Sequence, residues 1–539
     1  MYPQSSPWFR RALLGLMVLA FGLRLFFFLY THRTWEDALI TVQHSEDFVR
    51  GMGLSHPVPP GEGPLHGFTS PLSVLLPLVG DLMHVGFGVT FLKLVSLFAA
   101  MASVWLGARI ALAIGLPEPV ALTAAAFLAV EHHQILWGMS GMETQVVTFC
   151  YLFVIWSILS GTPWQKGIAL GLAMLARPDA VFLVLIALAF EWWRLRNKGN
   201  LREIWPAVGG LVLLYTPWLI FTTIYYGSPV PNTVIAKELG YPSVHEQMAN
   251  LGNLDKLHFI VARFVSSLAT LGPSYGGNGT GFVRLWDHYA IGRLMLLLLL
   301  FGACVALKRR HANALLLFAF VLTYATYLTL VANIVFGWYT VPVVAGAVIG
   351  SLYGLWALVS LLTKEPLRLN VVSAIGVAYI LCLVVCLPFT MRSDKYVQID
   401  IESGVRKQMG IYLHEVSLPS DTIASESLGY VGYYSQRVVY DYPGLCSRRV
   451  VQYLKDYPKE RNIMGMIYHL QPNYLVLRPV EFEHDGVIKL PWLTQDYELV
   501  RVFKANPQND RRIIGSDKNI DQEFDVFRRK GKPVAQSGM

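Results

Sequence analysis

Up to about residue 390 the apolar positions run in long blocks, near 12–30, 90–113, 118–136, 139–161, 165–176, 180–193, 203–224, 286–307, 313–333, 341–363 and 370–390. A helix needs about 20 apolar residues to cross the roughly 30 Å hydrocarbon core of a bilayer. The pattern therefore predicts a polytopic α-helical membrane protein with about eleven spans. Blocks 165–176 and 180–193 are short for a crossing, and Ala176-Arg177-Pro178-Asp179-Ala180 lies between them. That arrangement predicts a helical hairpin whose polar tip stops inside a cavity, where irregular backbone is tolerated. Residues 71–87 hold Pro71, Pro77 and Asp81, so a helix lying at the outer interface is expected there instead of a span.

Beyond Arg392 the pattern changes to short apolar runs among charges. Strands are expected at Asp421–Ser425, Arg437–Asp441, Tyr474–Leu477 and Leu499–Phe503, separated by helical stretches. This predicts a C-terminal α/β domain over 392–539, following a transmembrane domain over 1–391 whose large outer loops are 32–70 and 225–285. The stretch LGPSYGGNGTG in the second loop is expected to be mobile, and the tail GKPVAQSGM to fray.

Charge sets the orientation. Arg10 and Arg11, the Arg194–Arg196–Lys198–Arg202 cluster, Lys308–Arg309–Arg310, and Lys364 with Arg368 mark cytoplasmic loops. Loop 32–70 carries two Lys/Arg against five Asp/Glu and is expected outside. A multi-pass membrane protein follows, with a cytoplasmic N-terminus, an uncleaved first helix and an extracytoplasmic C-terminal domain. The net charge of +8 sits mainly in short loops, which speaks against a nucleic-acid partner. Four of the five cysteines lie in apolar blocks and Cys446 stands alone in the polar region, so neither a disulfide framework nor a CxxC metal site is expected.

The ionisable residues collect on the outer side of this topology. Glu36, Asp37, His44, His66, Glu131, His132, His133, Glu143, Arg177, Asp179, Asn232 and Lys237 all map to outer helix ends or outer loops, and Arg24 lies in the outer half of the first helix. A transporter would place such groups near the midplane, so a flippase is the weaker reading. A metal-hydrolase-like lipid transferase is weaker too, because 392–539 lacks dense Asp/His ligands: His414, His469 and His484 are far apart, and neither Asp485 nor Asp441 completes a set. Glu36 and Asp37 read either as the acidic first turn of a helix or as catalytic carboxylates. Neighbours on a helix face different ways, which favours one of them, Asp37, for the chemistry. Arg24 either snorkels or meets a phosphate. Arg177 pairs with Asp179 or a phosphate, and Lys237 with Glu238 or a phosphate. His32, His44, His56 and His66 match no ligand spacing, and His132 and His133 read as polar caps.

Several stretches in order carry a resemblance: WEDALITVQHSEDFVRGMGL with HGFTSPL, then SGMET, ARPDA and YYGSPVPNTVIAK, and in the C-terminal region SLGYVGYYSQRVVYDYPGL. The sequence resembles the GT-C glycosyltransferases that use a polyprenyl-phosphate sugar, and more narrowly the AftB-like arabinofuranosyltransferases. The resemblance implies transfer of a sugar from a polyprenyl-phosphate donor, embedded among membrane lipids, to a cell-envelope glycan or lipid acceptor. It implies a first-loop acid (Asp37 or Glu36) at the catalytic centre and donor phosphate contacts from Arg177, Lys237 and Arg24. His44, His66, Thr69, Glu143, Asp179 and Asn232 would border the substrates. No resident cofactor follows, and a divalent cation is left as an alternative to direct base catalysis. The chain departs from the family pattern at Glu36, usually Asp, at Gln43, where Arg is common, and at Ser73, in place of Trp.

Overall fold

The computed structural model describes residues 5–271, 288–484, 487–488, 490–506, 508, 513 and 521–531. Most of the LGPSYGGNGTG stretch, Asp485 and all but the first residue of the C-terminal tail lie outside them. The chain forms two interleaved compact units. The first contains Met1–Tyr30, Lys93–Trp218 and Val244–Met391; the second contains Thr31–Leu92, Leu219–Ser243 and Arg392–Met539. Both outer-loop segments around the expected site, 32–70 and 225–240, thus belong to the same unit as the C-terminal region.

Among the described residues, seven helices are long and apolar enough to cross a bilayer: Pro7–Thr31, Gly88–Ala113, Leu201–Tyr226, Ala290–Lys308, Ala312–Leu330, Gly337–Leu362 and Leu367–Val416. The pair His132–Met139 and Thr144–Ser160, bent by 117°, makes eight if it is one span. The difference from about eleven has local causes. The block at 118–136 is cut at Glu131, whose carboxylate accepts the backbone N–H groups of His133 and Gln134 at 2.9 and 2.8 Å and starts a new helix. Helices Pro163–Ala176 and Val181–Asn197 have 14 and 17 residues. The first begins at a Thr162–Gln165 capping box with Pro163 at its first position, and ends at Arg177, before Pro178.

Helices of the first unit pack closely where glycine permits. A Cβ on Gly354 would lie 1.8 Å from the Leu298 carbonyl oxygen, so the Ala290–Lys308 and Gly337–Leu362 helices meet backbone to backbone. The Gly337–Leu362 helix is the most enclosed of the seven, with 83% of its apolar window buried.

The second unit is built on a five-stranded sheet. β1 (Thr422–Ser425), β2 (Val438–Asp441), β3 (Tyr474–Leu477), β6 (Tyr497–Lys504) and β7 (Glu523–Arg529) run in the order β2-β1-β3-β7-β6; β4 (Glu483–His484) and β5 (Val487–Ile488) form a small separate ladder. β2, β1 and β3 are parallel, and β7 is antiparallel to both β3 and β6. Alternate residues feed two cores, as a period of two requires. Ile423, Val439, Tyr474, Val476 and Val526 pack on one face with Val405, Met409, Leu413 and Val431. Ala424, Tyr440, Leu475, Leu477 and Phe527 pack on the other with Val450, Leu454, Met466 and Ile467. Ile40, from the first loop, joins the first of these cores, so the loop helix Glu36–Val49 is part of the unit's hydrophobic interior.

Candidate functional site

The first-loop acids open the Glu36–Val49 helix, whose first turn favours negative charge. Glu36 is committed to protein partners. Its carboxylate accepts the Gly429 N–H at 3.1 Å and lies 3.3 Å from Arg406 Nη2. Arg406 also donates to both oxygens of Glu402 at 3.1 and 3.0 Å and meets Asp521 at 3.0 Å. Glu402 is held in turn by Arg33 at 2.8 Å, and Arg478 binds Asp521, Glu426 and Glu481. Carboxylates outnumber guanidinium groups in this cluster. Burial, opposed by Arg406 and reinforced by Glu426 and Asp37, pushes the Glu36 carboxyl up to about 8. Asp37, half-buried, follows it. A step of about 100° around the helix separates the two side chains.

The raised Glu36 value has a signed consequence. The folded chain holds a proton that an unfolded carboxyl would release, so this group's stabilisation is complete below about pH 4 and is lost as pH rises through about 8. The melting temperature of the second unit is expected to fall between about pH 5 and 8 and to level off above that, by roughly 2–4 °C for each kcal/mol lost. Glu36→Gln, which mimics the protonated acid, should flatten that slope in a thermal-unfolding series. A parallel slope in the variant would contradict the assignment.

Gly429 is placed by the same contact. A Cβ there would sit 2.1 Å from the Glu36 carbonyl oxygen and 2.6 Å from its Cγ. Gly429→Ala is expected to cost about 1–3 kcal/mol through overpacking, read as a lower denaturation midpoint.

The other motif residues of the second unit hold segments together. Asn232 donates through Nδ2 to the Gly444 and Leu445 carbonyls at 2.7 and 3.0 Å, and its N–H reaches the His66 carbonyl at 2.9 Å. The Thr69 and Thr233 hydroxyls are 2.8 Å apart. The His66 ring stacks on Tyr226 at 4.7 Å. Lys237 is half-buried on the Asn232–Gly240 helix. His44, fully buried, is brought to His56 and to Cys446, and their ligand atoms lie within 4.8 Å of one another. Sequence spacing did not reveal this group, because its cysteine comes from the C-terminal region. Burial lowers both imidazoles, His56 to about 4, and raises the Cys446 thiol, helped by Asp441. Asp441 accepts the N–H groups of Leu445 and Cys446 at 2.5 and 3.0 Å, which fixes the turn that carries the cysteine.

Beside this group a polar hollow of about 210 Å³ is lined by Gln43, Glu46, Asp47, Arg50, Tyr433, Tyr434 and Gln436. Burial lifts the Asp47 carboxyl to about 7 and raises Glu46 as well, while Arg50 opposes both shifts. Sequence reasoning passed over both acids.

In the first unit, Arg177 pairs with Asp179. Its Nε lies 3.1 Å from both carboxylate oxygens and Nη2 lies 2.8 Å from one. Asp179 also accepts the Tyr151 and Tyr324 hydroxyls at 2.9 and 2.8 Å, Tyr339 lies under the guanidinium at 4.4 Å, and Glu143 approaches Nη1 at 3.9 Å. ARPDA and SGMET therefore do meet, and the tip of the hairpin carries its own counterion. Arg24 departs from the expected phosphate role. It is 1% exposed, and its guanidinium N–H groups are engaged by Gln145 and by the carbonyls of Ala20, Ala129, Leu128 and Gln134. All five donors are used, so Arg24 braces the helices instead of receiving a ligand.

An apolar hollow of about 570 Å³ in the same unit lies among three helices. Val261, Phe264, Leu296, Leu300 and Leu330 are among its lining residues, and Arg293 is the cation among them.

The family model "Domain of unknown function (DUF8728)" matches residues 394–526. No curated protein matches in sequence. Among solved structures, the chain is similar to the Archaeoglobus fulgidus oligosaccharyltransferase tethered to an acceptor peptide (TM-score 0.57, 13% identity, 93% of this chain and 73% of that one). It is also similar to the oligosaccharyltransferase AglB of the same organism with an inhibitory peptide and a dolichol-phosphate (0.55, 13%, 87% and 69%). A third is ArnT from Cupriavidus metallidurans bound to undecaprenyl phosphate (0.53, 12%, 98% and 99%). At these identities the likeness is one of fold: the chain has the GT-C architecture, a polytopic helical protein with a C-terminal α/β region.

Proposed function

We propose that the protein is a membrane glycosyltransferase that moves a sugar from a polyprenyl-phosphate donor to a glycan or lipid acceptor of the cell envelope, on the extracytoplasmic side. The observation that carries this reading is the fold: the chain aligns over 98% of its length with a structure bound to undecaprenyl phosphate, and its acid pair Glu36–Asp37 opens the first-loop helix. That pair sits in a chain whose architecture is seen with undecaprenyl phosphate and with dolichol-phosphate.

Asp37 is assigned as the base. It takes the proton of an acceptor hydroxyl as that oxygen bonds to the anomeric carbon, and the bond from that carbon to the phosphate oxygen breaks, releasing polyprenyl phosphate. With Glu36 given to Arg406, one carboxylate is a thin donor set for a divalent cation, so base chemistry is the reading kept. Lys237 is assigned to phosphate oxygens in the second unit. In the first unit, Arg177, Glu143 and Asp179 are assigned to the wall of a donor cavity, since Arg177 already spends two nitrogens on Asp179. The apolar sides of the first unit's hollow suit an isoprenoid chain. The hollow at Tyr433 and Tyr434 suits a hydroxyl-rich acceptor, because aromatic faces and carboxylates are what sugar rings and hydroxyls bind. Arabinofuranose is the proposed sugar, on the motif resemblance.

The test is to incubate purified protein with a panel of polyprenyl-phosphate sugars and an envelope acceptor, with and without chelator, and to follow lipid-phosphate release and acceptor glycosylation. Turnover of one donor class supports the reading. Absence of turnover across the panel, by protein shown to be folded, contradicts it.

A further inference from the structure

We infer that His44, His56 and Cys446 form a zinc site that clamps the first loop to the C-terminal α/β fold. Three observations converge. First, each residue offers one ligand atom, all within 4.8 Å of one another, and all three residues are buried. Zinc at about 2.0–2.3 Å from nitrogen and sulfur is reached from there by side-chain shifts of about an ångström.

Second, each imidazole keeps one nitrogen that the Ile40 carbonyl does not take. His44 Nδ1 and His56 Nε2 both lie 2.8 Å from the Ile40 carbonyl oxygen. A carbonyl only accepts, so both nitrogens carry their protons and donate. The lone pairs are left on His44 Nε2 and His56 Nδ1. An imidazole that donates one N–H to a backbone carbonyl and turns the other nitrogen inward is the usual orientation of a metal ligand. His44 Nε2 is buried without a hydrogen-bond partner, a cost that a metal would remove.

Third, the backbone leaves room for this approach. A Cβ on Gly67 would fall 2.6 Å from Cys446 Sγ and 2.9 Å from His44 Nε2, so only glycine admits both ligands here. Asp441 holds the turn that delivers the thiol.

The donor set, two imidazoles and one thiolate, suits zinc and leaves one tetrahedral position for water. Zinc displaces the thiol proton, which passes to solvent. The site joins a helix, a loop and a turn from the two ends of the chain. Its role is to fix the Glu36–Val49 helix, and it involves neither Asp37 nor the donor.

The test uses the full chain purified without chelator. Elemental analysis should find about one zinc per chain, Cys446→Ser and His44→Gln should each lose most of it, and Cys304→Ser should keep it. Cobalt exchanged into the wild type should give a thiolate charge-transfer band that Cys446→Ser lacks. If a variant does not fold, the wild type alone decides: chelator should lower its melting temperature, and added zinc should restore it. Substoichiometric zinc together with no cobalt–thiolate band would overturn the proposal, as would retention of full zinc by folded Cys446→Ser. None of these readouts depends on glycosyl transfer, so they stand or fall apart from the enzymatic reading.

Discussion

Asp37→Asn is expected to lower sugar transfer by about 10²–10⁴-fold, with the melting temperature and detergent behaviour of the wild type. The amide keeps the shape and loses the proton-accepting oxygen. Asp37 opens a helix whose fold is secured by Ile40 in the core and by Glu36 at Gly429, so little structural change is expected. Glu36→Gln sets the contrast. Its side chain already favours the protonated form near neutral pH, and its hydrogen bond from Gly429 survives in the amide, so it should retain much of the activity. The ratio of the two variants, measured as kcat/KM on one donor and one acceptor, separates a base from a neighbouring structural acid. Equal losses would contradict that division of labour.

The second large effect is one of stability. Arg406→Met is expected to destabilise the second unit by about 3–5 kcal/mol, because it removes a buried cation shared by Glu36, Glu402 and Asp521 and leaves Glu402 to Arg33 and Asp521 to Arg478. Arg406 touches Glu36, Glu402 and Asp521 at once, and a Lys there would lose the planar fork. For a unit of this size the loss corresponds to a fall of roughly 10 °C in melting temperature. The double variant Arg406→Met with Glu36→Gln should recover part of the loss, since it removes the Glu36 charge along with its partner and keeps the hydrogen bond from Gly429. A single variant that melts with the wild type would contradict this account of the cluster.

Much of the architecture is legible in the hydrophobic pattern, because membrane helices and buried parallel strands advertise themselves as apolar runs. β1, β2 and β3 were readable for that reason. β7, EFDVFRR, was not: its apolar residues alternate with charges, yet it pairs with both β3 and β6. The break at Glu131, which ends one helix and caps the next inside an apolar block, was not legible in hydrophobicity alone. The packing contacts of the motif residues were not legible in the sequence. Asn232, Thr69 and His66 bind other parts of the same unit. Arg24 was readable as a buried cation, and only the carbonyls around it show that its donors are spent. Arg406 and Cys446 lie hundreds of residues from the first-loop acid Glu36 and the histidines His44 and His56 that they meet. Periodicity is local, so no pattern in the first loop could point to them.

The measurement closest to the central claim follows both products of one reaction. Protein reconstituted in vesicles is given a polyprenyl-phosphate donor labelled in the sugar, and label in the acceptor is counted against polyprenyl phosphate released. The account predicts one lipid phosphate for each sugar transferred by the wild type and neither product from Asp37→Asn. Label that crosses the bilayer still attached to its lipid, at the same rate in both proteins, would contradict it.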